Sequence, residues 1–77
     1  MTKRGLPVIS GIDTIKALTK AGYFTVRQKG SHVRMKKITQ EGAVFVTVPL
    51  HKVLDRGTLR GIIKDTKLTV EEFLELL

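Results

Sequence analysis

Tyr23-Phe24-Thr25-Val26-Arg27-Gln28-Lys29, then Gly30-Ser31, then His32-Val33-Arg34-Met35-Lys36-Lys37: the fold turns on how this stretch is read. In its first run Phe24 and Val26 alternate with Thr25, Arg27 and Lys29, the period of a strand with one wet, basic face. Gly30-Ser31 breaks the run as a turn. In the second run Val33 and Met35 fall on one face, and His32, Arg34 and Lys36 on the other.

Reading outward, Thr39 to Gly42 is a turn, and Ala43 to Val48, rich in Val, Phe and Thr, is a third strand that Pro49 ends. Short links between all three strands predict an antiparallel meander. Upstream, Ser10 reads as a helix N-cap with Asp13 completing a weak capping box. Ile12, Ile15 and Leu18, continued by Ala21, form its expected inward stripe; Lys16 and Lys20 share the wet face, and Gly22 stands where a glycine stops a helix. Leu50 to Gly57 reads as a loop, and Thr58 to about Thr66 as a second helix with Leu59, Ile62 and Ile63 inward. Thr69 and Glu72 form a T-x-x-E capping box, with Leu68 and Phe73 as a hydrophobic staple, opening a short acidic helix that runs to Leu77. The order α-β-β-β-α-α predicts an α+β fold: a three-stranded antiparallel sheet with helices on one face and the other free to be wet and basic.

The 77 residues suit one domain, residues 1–77. Domains of this size bury only about 60% of their unfolded surface, which leaves little room for a deep cleft, and no organic cofactor is expected. Fourteen Lys and Arg against seven Asp and Glu give +7, a balance that favours polyanions, nucleic acid before anionic membrane. The charge is uneven: seven bases and no acid lie between Thr14 and Gln40, whereas Glu71, Glu72 and Glu75 crowd the last seven residues. Two surfaces with different partners would explain this, and ordinary solubility is the plainer alternative. No Cys is present, so disulfides and thiolate metal sites are excluded, and two His make a structural zinc site unexpected. Met1 to Pro7 is basic but lacks the apolar run of a signal peptide, and no stretch approaches the roughly 20 apolar residues of a membrane span. A soluble cytoplasmic protein that does not engage a membrane is expected.

Two side chains titrate near neutral pH, His32 and His51. His32 follows Lys29-Gly30-Ser31, where glycine lets backbone N–H groups come close to a ligand. Arg27, Lys29 and Arg34 lie nearby, and Arg34 and Lys36 share its strand face. A histidine among fixed cations suits a phosphodiester: the cations hold phosphate and stabilise added charge, and the imidazole moves a proton. A solvent-facing histidine on a positive strand is the alternative that these residues leave open. A Ser31–His32 hydrolase pair is disfavoured, because neighbours on a strand point to opposite faces and no acid in residues 14–40 could orient the imidazole. Gly30 alone is no phosphate-binding loop. His51, after Val48-Pro49-Leu50, is a secondary candidate at a strand end.

In this order the residues resemble the HicA family of toxins, the mRNA interferases of bacterial and archaeal toxin–antitoxin pairs. The matching segments are Leu6-Pro7-Val8-Ile9-Ser10-Gly11, Ala21-Gly22-Tyr23, Arg27-Gln28-Lys29-Gly30-Ser31-His32, Thr47-Val48-Pro49-Leu50-His51, Gly57-Thr58-Leu59-Arg60 and Leu68-Thr69-Val70-Glu71-Glu72-Phe73. The resemblance implies a fold like the double-stranded-RNA-binding domain, here with a short extra C-terminal helix. It implies a stress-response endoribonuclease that cleaves mRNA without the ribosome, and a HicB-type antitoxin that covers the active histidine, which carries over to His32. The toxin alone would be monomeric and would join a hetero-oligomer with its antitoxin.

Attack by the RNA's own 2′-OH needs no protein nucleophile, which suits a chain offering none. His32 would then be general base or acid. Arg27, Lys29 and Arg34, with Gly30 and Ser31 in the turn, would bind phosphate, and Lys36 would be an outlying contact. No metal is called for. Two other classes remain at this point: a non-catalytic RNA-binding module, which needs the cations and can spare His32, and a basic adaptor whose partner is another protein.

Overall fold

The computed structural model describes residues 5–77; residues 1–4, part of the basic Met1–Pro7 stretch, lie outside the described residues. The chain runs α1 (Gly11–Lys20), β1 (Phe24–Lys29), β2 (His32–Thr39), β3 (Gly42–Pro49), α2 (Arg56–Asp65) and α3 (Val70–Glu75). The strands form one antiparallel sheet in the order β1-β2-β3, the expected meander.

One face of that sheet makes the core. Val33 lies opposite Val48 and Met35 opposite Val46, and all four are buried. They meet Ala17 and Leu18 of α1, Leu59, Ile62 and Ile63 of α2, and Phe73 of α3. Burying an aliphatic or Phe side chain of this size contributes about 1.5–3 kcal/mol, so these rows hold helices to sheet.

Local signals start and stop α1 and open α3 as the sequence implies, with α3 ending at Glu75, short of the expected Leu77. Ser10 Oγ accepts the Asp13 N–H at 3.0 Å. Gly22 follows α1 at φ +101°, a conformation that only glycine adopts without strain. Thr69 and Glu72 make the reciprocal capping box that opens α3.

Three readings need correction. The inward face of α1 is Gly11, Thr14, Ala17 and Leu18, whereas Ile12 is 57% exposed and Ile15 only partly buried. Gly11 sets this rotation. A Cβ there would overlap the Pro49 carbonyl, so only glycine lets the helix start sit against the end of β3. Its N–H donates to the His51 carbonyl at 2.9 Å. The polar Thr14 is tolerated inside because its hydroxyl donates to the Ser10 carbonyl at 2.9 Å. The second correction concerns α2, which begins at Arg56 rather than Thr58, because Asp55 Oδ1 caps it by accepting the Thr58 N–H at 2.7 Å.

The third correction is at β1, which buries neither face. From the turn, regular pairing would place Val26 opposite Met35 and Phe24 opposite Lys37, both on the helix side. A β-bulge between Thr25 and Arg27 shifts the register instead, so Thr25 meets Met35 and Phe24 meets Lys36. Phe24 thereby moves to the open face.

Candidate functional site

The open face is read from the register, since directly paired residues share a side of the sheet. Lys29, His32 and Pro49 form the row nearest the β1–β2 turn; Arg27, Arg34 and Thr47 form the next; Phe24, Lys36 and Phe45 the third. The first two rows, apart from the buried Pro49, line a shallow depression whose walls are Arg27, Lys29, His32, Arg34 and Thr47.

Its electrostatics are one-sided. Arg27 faces Arg34 and Lys29 faces His32 across the strands, and none of the three strands carries an Asp or Glu. Like charges directly opposite one another destabilise a sheet. Arg34 is held in place nonetheless. Its Nη1 donates to Thr47 Oγ1 at 3.3 Å, and its guanidinium carbon stands 4.7 Å from the centre of the Phe45 ring. Such cation–π contacts contribute about 0.5–1 kcal/mol at exposed sites.

Four of the expected residues, Arg27, Lys29, His32 and Arg34, therefore share one site. Lys36 lies on the same face one row further on, 5.5 Å from the Phe45 ring centre. Gly30 and Ser31 form the hairpin tip outside the depression. Gly30 has φ +59°, which a tight two-residue hairpin requires at its first position. The Ser31 carbonyl accepts the Leu50 N–H at 2.6 Å, and Gln28 Nε2 donates to the Gly30 carbonyl at 3.2 Å.

His51 is exposed but does not line the depression. It lies near Asp55, whose carboxyl is held below its ordinary range by hydrogen bonds from the Thr58 backbone and side chain and, to a smaller extent, by His51.

Thr47, Phe45 and Phe24 were missed by the sequence reading. For Thr47 and Phe45 the signal was available: Val44, Val46 and Val48 alternate with Ala43, Phe45 and Thr47, so β3 also presents two faces. For Phe24 it was not, because the bulge depends on pairing.

Fold and depression together define a class: a small α+β protein whose helices cover one sheet face and leave a cationic, histidine-bearing face in solvent. Comparison with known families is specific. The HicA toxin family of bacterial toxin–antitoxin pairs matches residues 11–68, which span α1 to the end of α2 and include the whole depression. The chain belongs to that family. A comparison with curated proteins found no match. Among the described residues, no helix is long and apolar enough to cross a membrane.

Proposed function

We propose that the chain is an endoribonuclease toxin that cleaves mRNA without a metal ion, through His32, and is neutralised by a HicB-type antitoxin that covers this histidine. The observation that carries the reading is the depression itself. Two cross-strand rows gather Arg27, Lys29 and Arg34 around one histidine, and the Arg27–Arg34 pair sets like charges against each other, a cost to the fold that a bound phosphate would offset. Family membership supports the toxin role and an antitoxin partner.

The chemistry follows from the residues. The ribose 2′-OH attacks the adjacent phosphorus while the P–O5′ bond breaks, leaving a 2′,3′-cyclic phosphate and a 5′-OH. His32 takes the 2′-OH proton or supplies one to the leaving 5′ oxygen. Arg27, Lys29 and Arg34 stabilise the charge that gathers on the phosphoryl oxygens, with Arg34 fixed in advance by Thr47 and Phe45. The side chains that line the depression with His32 are cations and a hydroxyl, a poor donor set for a hydrolytic metal. Acting on mRNA, the toxin would work in the cytoplasm, alone as a monomer and otherwise in complex with its antitoxin.

The test is cleavage of RNA by purified protein in excess EDTA. Cleavage should persist, the products should carry the two ends named above, and a 2′-deoxy sugar at the cut site should block it. Activity lost to EDTA and restored by Mg²⁺ would overturn the mechanism. RNA bound tightly but left intact would favour the non-catalytic RNA-binding module.

A further inference from the structure

Phe24 and Phe45 are not explained by packing. Neither belongs to the core or to the partly buried residues packed against it, and they are 46% and 42% exposed. They stand either side of Lys36 in one cross-strand row. Phe24 reaches that row only because of the bulge at Val26; without it, pairing would turn the ring to the helix side. Bulges that re-aim a side chain are common beside functional sites. The fold thus spends an irregularity to put a second aromatic ring on the face that carries His32.

We propose that Phe24 and Phe45 form a stacking subsite for unpaired bases of the bound RNA, with Lys36 between them on the backbone phosphate. The inference rests on the reading of this face as an RNA surface. His32 and Lys36 are four residues apart on one strand, about 13 Å at 3.3 Å per residue, which a few nucleotides of extended strand can bridge. The charge of the face selects a polyanion, and the rings select among polyanions. A duplex presents its base faces only at its ends, whereas a single strand offers one with every nucleotide. Arg34, already lying against the Phe45 ring, adds a flat cationic plane on which a base can also stack. The subsite therefore favours single-stranded stretches and lays them along the strand direction of β2, so that one end enters the depression at His32.

The test uses a short 2′-O-methyl oligoribonucleotide, which keeps bases and phosphates and lacks the attacking hydroxyl, both alone and annealed to its complement. Phe45→Leu and Phe24→Leu keep apolar bulk at exposed positions and remove the ring. Each should weaken single-strand binding by about fivefold or more. Phe24→Leu should leave duplex binding and the salt dependence unchanged, and Phe45→Leu, whose ring also supports Arg34, should lose clearly more on the single strand than on the duplex. Phe45→Trp should restore or exceed wild-type affinity. Unchanged single-strand affinity would overturn the subsite, and so would an equal loss on both forms, which would reduce Phe45 to a support for Arg34. Variants that bind RNA normally but lose the antitoxin would assign the rings to a protein interface instead. If the subsite fails while the wild type still binds and cleaves RNA, the cleavage reading stands without it. If the wild type binds neither form, both fall.

Discussion

The two faces of β2 differ in almost every physical respect although they alternate residue by residue. Val33 and Met35 are buried against valines of β3 and the side chains of three helices. His32, Arg34 and Lys36, their immediate neighbours, look outward onto arginine, lysine, threonine and phenylalanine. One face is fixed by shape and by exclusion of water. Among the described residues nothing packs over the other, so it can carry the opposed Arg27–Arg34 pair and exposed rings that a core would reject. Stability and chemistry are separated by the period of two that a strand imposes.

The largest effect should come from exchanging a residue on the covered side. Met35→Ala should cost about 2–5 kcal/mol in chemical denaturation, since it empties a fully buried position. Lys36→Ala, one residue on, should stay within about 0.5 kcal/mol of wild type. Equal costs would mean that the two faces are not distinct.

RNA binding should report the open face alone. If Arg27, Lys29, Arg34 and Lys36 each neutralise one phosphate, affinity should fall with salt at a log–log slope near −3, from about −0.7 per contact. Lys29→Ala should flatten that slope by about 0.7 without altering preference among sequences. A slope near zero would contradict the phosphate role.

The smallest effect is a gain. Arg27→Thr removes one member of the Arg27–Arg34 pair and should raise stability by about 0.2–1 kcal/mol while weakening RNA binding. Loss of stability in this variant would show that the opposed guanidinium groups cost the fold nothing.

Much of this division could be read before any coordinates. Strict alternation along His32–Lys37 assigned both faces of β2, and the T-x-x-E signal located α3, because each depends on residues close in sequence. Grouping Arg27, Lys29 and Arg34 with His32 also followed, since a two-residue turn fixes which residues meet across a hairpin. The outward face of Phe45 and Thr47 was legible in the alternation of β3, and the rest of what escaped depends on tertiary contact. Ile12 has the right spacing for the core, yet the close approach of Gly11 to Pro49 rotates it into solvent. Phe24 alternates as an inward residue, yet a bulge reverses it. Thr47 became visible as a partner of Arg34 only once β3 was paired with β2.

The most direct test of His32 as the proton-transfer group is single-turnover RNA cleavage in EDTA by purified His32→Ala against wild type, with RNA affinity measured on the same proteins. His32 is exposed and bears on no core contact, so the variant should fold and bind RNA within about twofold of wild type. Its cleavage rate should fall by about 10²–10⁴, the usual contribution of one general acid–base group. A rate within about threefold of wild type at equal affinity would contradict the assignment and leave the open face as a surface that binds RNA without cutting it.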